Sequence, residues 1–156
     1  MKKHLILFSW LVVIQLAWAQ AQTLPPFSFE AMDGTPFTSA NLDPQKSTFI
    51  MLFDPYCDHC DQQATYIAEA ADQFEDVQFV FVTIETDNEA IQNFRDRHFA
   101  DTGLEHLNFV KDTQIRFESY FGYTDDVINI YLYKPGRKQP KYFGKETEAE
   151  QLLKFL

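Results

Sequence analysis

From Ser47 to Phe53 the sequence STFIMLF is a nearly unbroken apolar run bounded by polar and proline-containing segments, the pattern of a strand buried on both faces. The period then changes. In CDHCDQQATYIAEAADQF, residues Ala64, Ile67, Ala68, Ala71 and Phe74 recur at helical spacing, with Asp54 and Pro55 at the joint. VQFVFVTIE, Val77 to Glu85, predicts a second strand, and NEAIQNFRDRHF, Asn88 to Phe99, predicts an amphipathic helix led by acids. Strands joined through helices in this way should lie parallel. LNFV follows as a shorter apolar piece. Asp112 to Phe121 then predicts a short helix with Ile115, Phe117 and Phe121 as its apolar positions and Gly122 as its stop. VINIYLY, Val127 to Tyr133, and PKYFG, Pro140 to Gly144, flank KPGRKQ, where Pro135 and Gly136 suit the central positions of a type II turn, so a β-hairpin is expected. Glu146 to Leu156 closes as a helix with Leu152, Leu153 and Leu156 on one side. Near the start, FSFEAMDGTPFTSANL alternates, turns at Asp33 and Gly34, and alternates again, a second hairpin beside the main sheet.

The order ββ-β-α-β-α-α-β-β-α is that of an α/β thioredoxin fold, a three-layer α/β/α arrangement on a mixed central sheet, with an N-terminal β-hairpin extension. A chain of 156 residues suits one such domain, and it carries no internal repeat. The opening MKKHLILFSWLVVIQLAWAQAQ stands apart: Lys2 and Lys3, an apolar run from Leu5 to Val13, and small residues at cleavage spacing make a secretory signal peptide. Cleavage fits after Ala19 or after Ala21. The expected organisation is therefore a signal peptide over residues 1–21 and a thioredoxin-like domain over 22–156. The apolar run is short for a membrane span, so no stable membrane association is expected after cleavage. Loss of the leader removes Lys2 and Lys3 and no acid, taking the formal charge from −10 to −12. Such an acidic chain is a poor partner for nucleic acid or an anionic membrane surface.

Export alters the reading of the only two cysteines, Cys57 and Cys60, since disulfides persist outside the cytosol. Closing so small a loop would remove little unfolded-state entropy, so the pair makes a poor structural staple. Cys57 falls where a helix begins, and free backbone N–H groups there stabilise a thiolate. Cys60, three residues on, shares its helical face and can resolve a mixed disulfide. Cys57 is thus the expected nucleophile and Cys60 the resolving thiol. Protonated His59 would stabilise the Cys57 thiolate further, whereas Asp54, Asp58 and Asp61 in the same turn oppose it.

From about Phe27 to Leu156, and most specifically in FIMLFDPYCDHC and FGYTDDVINIYLYKPGRK, the chain resembles the exported thioredoxin-like thiol-disulfide oxidoreductases of the TlpA and ResA type, the redoxins. The resemblance implies disulfide exchange with exported proteins bearing thiols or disulfides, an unidentified electron donor or acceptor, no cofactor, reduction ahead of oxidation, and the periplasm ahead of the extracellular space. It also places Tyr56 where relatives carry Trp. Two departures stand out. Where the family has a proline before the late strand, this chain has Asp126, Val127 and Ile128, which makes Tyr56, Asp126 and Val127 the candidate substrate-docking residues. Where relatives have a buried proton-transferring acid, it has Met51 and Gln63, leaving Asp54 as the candidate shuttle.

Other readings stay open. Two thiolates with His59 or a distant histidine can bind copper(I) or zinc. The pair can also belong to a redox-inactive structural or interaction domain. Peroxide reduction is weaker, because Asp54 stands where the threonine of that motif would be and the first arginine is Arg95.

Overall fold

The computed structural model describes residues 24–156; the expected signal peptide lies outside the described residues. Seven strands form one sheet: β1 (Ser28–Ala31), β2 (Pro36–Thr38), β3 (Ser47–Leu52), β4 (Val77–Thr83), β5 (Leu107–Lys111), β6 (Asn129–Tyr133) and β7 (Lys141–Phe143), in the order β2-β1-β5-β4-β3-β6-β7. Strands β3, β4 and β5 are parallel, and the pairs at either side are antiparallel. Among the described residues four α-helices pack on the sheet: α1 (Asp58–Glu69), α2 (Asn88–Phe99), α3 (Phe117–Phe121) and α4 (Ala149–Leu153). This is the expected thioredoxin-like α/β architecture with its N-terminal hairpin, which joins the sheet by pairing β1 with β5.

Alternation along the central strands separates two cores. Phe49 and Met51 of β3 and Phe79 and Phe81 of β4 face Ala64 and Ile67 of α1, Ile91 and Phe94 of α2, and Leu152 of α4. Ile50, Val80 and Val82 point the other way, toward Phe27, Phe29 and Phe117. All seven residues of β4 are buried, in keeping with a sequence that is apolar except for Gln78 and Thr83. The first core is largely phenylalanine: Phe81 stacks on Phe109 of β5 at 4.8 Å between ring centroids, and Phe53 meets Phe94 at 4.9 Å. Each such fully buried ring contributes about 1.5–3 kcal/mol through removal of apolar surface from water.

The closing helix, expected over Glu146 to Leu156, is confined to Ala149–Leu153, and three further segments differ from the sequence expectation. The piece containing LNFV is a full strand, β5, held between β4 and β1; its few apolar residues show no period of their own, and its neighbours supply its hydrogen bonds. The helix expected over Asp112 to Phe121 is confined to Phe117–Phe121. Ile115 adopts φ 53°, which breaks any helix, and the buried Asp112 carboxylate accepts hydrogen bonds from the Arg116 and Phe117 amides. Strand β6 begins at Asn129, leaving Val127 exposed in the preceding loop. Pro135 and Gly136 do form the turn expected of them: Gly136 has φ 79° and Arg137 N–H donates to the Lys134 carbonyl at 3.1 Å.

Candidate active site

Parallel strands deliver their C-terminal ends to one edge of the sheet. The loops after β3, β4 and β5 therefore line up side by side, and β6, antiparallel to β3 with Asn129 opposite Leu52, brings its entering loop to the same edge. Cys57 and the Asp126–Val127 segment, 69 positions apart in the chain, share this edge through the pairing of β3 with β6.

The turn before α1 is built from backbone. Asp54 Oδ1 accepts from the Tyr56 amide at 2.8 Å, and the Cys57 amide donates to the Asp54 carbonyl at 3.1 Å. Cys57 is the N-cap of α1, with φ −91° and ψ 118°. Its carbonyl accepts from Cys60 and Asp61, and its Sγ accepts from the Cys60 amide at 3.4 Å. A helix-start amide thus points at the sulfur, where it favours negative charge. Cys57 is half-buried and Cys60 buried, and both thiols are free. Burial pushes the Cys60 thiol well above its ordinary range, with the neighbouring Cys57 adding to the rise. The two sulfurs are therefore chemically unequal: one is capped by an amide and open to solvent, the other is enclosed and held protonated.

The charges around the pair are arranged by tertiary contacts. Asp61 accepts from Arg97 and His98 of α2, each at 2.7 Å, which ties the two helices together. Burial alone would raise the Asp61 carboxyl, but these two partners hold it below the usual carboxylate range. Its charge is thereby matched by neighbours in α2, leaving Asp54 and Asp58 as the exposed acids of this turn. His59 Nδ1 pairs with Glu146, and Glu146 is held low by its own backbone amide and by His59. The Glu146 carboxylate beside the His59 ring adds negative charge to this end of the site and so opposes stabilisation of a Cys57 thiolate. His59 is thus directed to the segment before α4 rather than completing a ligand set with the two sulfurs. Among the described residues no group of three or more His, Cys, Asp or Glu side chains is placed to hold a metal ion.

Asp54 is exposed, with one carboxylate oxygen committed to the Tyr56 amide. Met51 lies in the apolar core. Gln63 is fully buried and uses its whole amide on one backbone unit: Nε2 donates to the Thr147 carbonyl at 3.1 Å, and the Thr147 amide donates to Oε1 at 2.8 Å. With His59–Glu146, this pair fastens the segment before α4 to the cysteine helix. Gln63→Ala leaves a buried N–H and C=O without partners, so unfolding in urea should show a loss of about 2–4 kcal/mol.

In place of a proline, the loop entering β6 is held by a polar network that the sequence reading did not anticipate. The Asn129 side chain accepts from Thr124 N–H and donates to the Thr124 carbonyl, both at 3.1 Å. The Asp126 carboxylate accepts from Thr124 Oγ1 at 2.6 Å and the Tyr142 hydroxyl at 2.8 Å. Gly144 completes it, since a Cβ there would come within 2.5 Å of Asp126 Oδ2. Among the described residues there is no cis peptide bond, so the chain passes Asp126 and Val127 in trans. Tyr56 and Val127 are both exposed, on loops at the edge that carries Cys57.

Comparison with known proteins agrees with this construction. Residues 21–143 match the sequence signature of the AhpC/TSA family. No curated protein matches the chain. Among solved structures, MTB dsbF in mixed oxidized and reduced forms is 20% identical at a TM-score of 0.66, over 85% of this chain and 94% of that one. A secreted Mycobacterium tuberculosis disulfide oxidoreductase homologous to E. coli DsbE is 19% identical at 0.63, over 86% and 98%. Arabidopsis thaliana ScoI with copper bound is 19% identical at 0.63, over 85% and 94%. At these identities the likeness establishes the fold.

Proposed function

Because the chain belongs to the AhpC/TSA family and is a redoxin of thioredoxin-like fold, we propose that it is an exported thiol-disulfide oxidoreductase acting through Cys57 and Cys60. The observation that carries this reading is the inequality of the two sulfurs, an amide-capped, half-buried Cys57 above a buried Cys60 at the same helix start. In the reducing direction the Cys57 thiolate attacks one sulfur of a client disulfide. The client S–S bond breaks, the departing client sulfur takes up a proton, and a Cys57–client disulfide forms. Cys60 then loses its proton and attacks the Cys57 sulfur, expelling the second client thiol. The client gains two electrons and the protein is left with a Cys57–Cys60 disulfide, which a thiol or dithiol donor must reduce. The same steps in reverse oxidise a client dithiol.

Reduction is the direction we favour, on the resemblance to TlpA-type proteins and on the Glu146 carboxylate paired with His59. The clients are exported proteins with thiols or disulfides, and the electron partner is a second protein of unidentified kind. Export is supported by the leader pattern and by neighbours that are themselves described as secreted or as a lipoprotein. Among the described residues no helix is long and apolar enough to cross a membrane. Peroxide reduction draws no support from the site, where the Asp54 carboxylate stands in a backbone turn instead of a threonine hydroxyl beside Cys57.

Equilibration of the purified chain in glutathione or dithiothreitol buffers, with free thiols counted, tests the reading. A reversible two-electron transition between roughly −120 and −270 mV is expected, toward the negative end for a reductant. A pair that never closes would sink it, and stoichiometric copper or zinc retained by the reduced protein would favour metal binding instead.

A further inference from the structure

Among the described residues the exposed large apolar side chains are Tyr56, Ile84, Ile115, Tyr123 and Val127, with exposures of 72, 63, 79, 51 and 56%. They are scattered in sequence, but the topology brings the loops that carry them to one edge of the sheet. Ile115 follows β5, Ile84 follows β4, Tyr56 follows β3, and Tyr123 and Val127 precede β6, so each sits on a loop at the cysteine-bearing edge, in the order β5-β4-β3-β6. Four adjacent strands place these loops across about 14 Å, the length of four or five residues of extended polypeptide. Ile115 is moreover a β-branched residue at φ 53°, a conformation that disfavours such a side chain and is here spent on holding it in solvent.

Acidic side chains dominate three of the four loops that carry these residues. The loops 54–58, 84–87 and 122–127 contain Asp54, Asp58, Glu85, Asp87, Asp125 and Asp126 and no lysine or arginine. Hydrogen bonds from Thr124 and Tyr142 hold Asp126 below the ordinary carboxylate range, so its charge is kept. The loop after β5 is the exception: Arg116 follows Ile115 there, and Lys111 ends the strand, its ammonium already paired with Glu30 at 2.8 Å.

We propose that this edge docks an extended, basic segment of a client polypeptide, in which apolar side chains flanking a cysteine lie over Ile84 and Ile115 on one side of Cys57 and over Tyr123 and Val127 on the other, while lysines or arginines meet the acidic loops. The proposal rests on the exchange function above for its cysteine, but its recognition chemistry stands apart from the redox step. An acidic or uniformly polar segment is disfavoured by like charge and by the uncovered apolar row.

The test uses two labelled twelve-residue peptides in which serine replaces the central cysteine, one alternating leucine with lysine and the other alternating leucine with glutamate, read by fluorescence anisotropy. Neither peptide can exchange a disulfide, so binding is measured whether or not the cysteine pair proves redox-active. The lysine peptide should bind at least tenfold more tightly at low salt, with the advantage shrinking at high salt. Ile84→Ser with Ile115→Ser should weaken it at least fivefold. Asp58→Asn with Asp125→Asn, which removes charge at constant volume, should narrow the preference between the peptides. Equal binding of the two peptides, or full binding by the paired isoleucine variant, overturns the proposal.

Discussion

Cys57→Ser should abolish disulfide exchange, lowering the rate by about three orders of magnitude or more, because a serine hydroxyl at neutral pH cannot replace a thiolate nucleophile. Cys60→Ser should behave differently. Its protein retains the amide-capped Cys57 sulfur but lacks the buried thiol that releases the client, so Cys57–client disulfides should accumulate. Non-reducing electrophoresis of the two variants after exposure to an exported protein extract reads the difference directly. Trapping by Cys57→Ser in preference to Cys60→Ser would reverse the assigned roles. The raised Cys60 thiol sharpens the expectation: in the unmodified protein the second step waits on removal of a proton from a buried group, so mixed disulfides should be detectable there too, at lower yield.

The largest stability effect should come from Phe81→Ala. Phe81 is wholly buried on β4, with Phe49, Phe53, Phe79, Phe99 and Phe109 all within 6.1 Å between ring centroids. These rings come from strands β3, β4 and β5, from Phe53 just past the end of β3, and from helix α2, so no one neighbour can move into the space without leaving another. The cost is therefore expected at the full large-to-small value of about 3–5 kcal/mol. For a domain of this size the melting temperature falls by roughly 10–20 °C. Calorimetry measures it, and a fall of only a few degrees would mean that the phenylalanine core repacks around the gap.

The parts legible in the chain were those that carry their own period. The runs around β3 and β4, the acid-led helix Asn88–Phe99, the Asp33–Gly34 and Pro135–Gly136 turns and the Cys-x-x-Cys at the start of α1 all announce themselves locally. Strand β5 did not, because three apolar residues around Asn108 satisfy either a strand or a buried turn of helix. The break at Ile115 was invisible for a different reason: an isoleucine at positive φ contradicts its own preference, and only Asp112, folded back on the Arg116 and Phe117 amides, explains it. Arg97 and His98 carry no local sign of their role, because Asp61, which accepts from both, lies 36 and 37 positions away in the chain. Gln63 could be located as the occupant of an acid's position, yet its bidentate hold on Thr147 required knowing that residues 84 positions apart meet.

By itself the sequence determined the α/β class, the order of most elements, and the placing of two cysteines at a strand-to-helix joint, since each depends on periodicity and turn chemistry within a short window. Tertiary structure alone decided the electrostatic setting of those cysteines, the polar network that replaces a proline before β6, and the gathering of five scattered apolar residues into one acidic-rimmed edge. The physical reason is common to all three. Side chains far apart in the chain acquire partners only when the sheet sets its strand order, and β5-β4-β3-β6 is an order that no local pattern records.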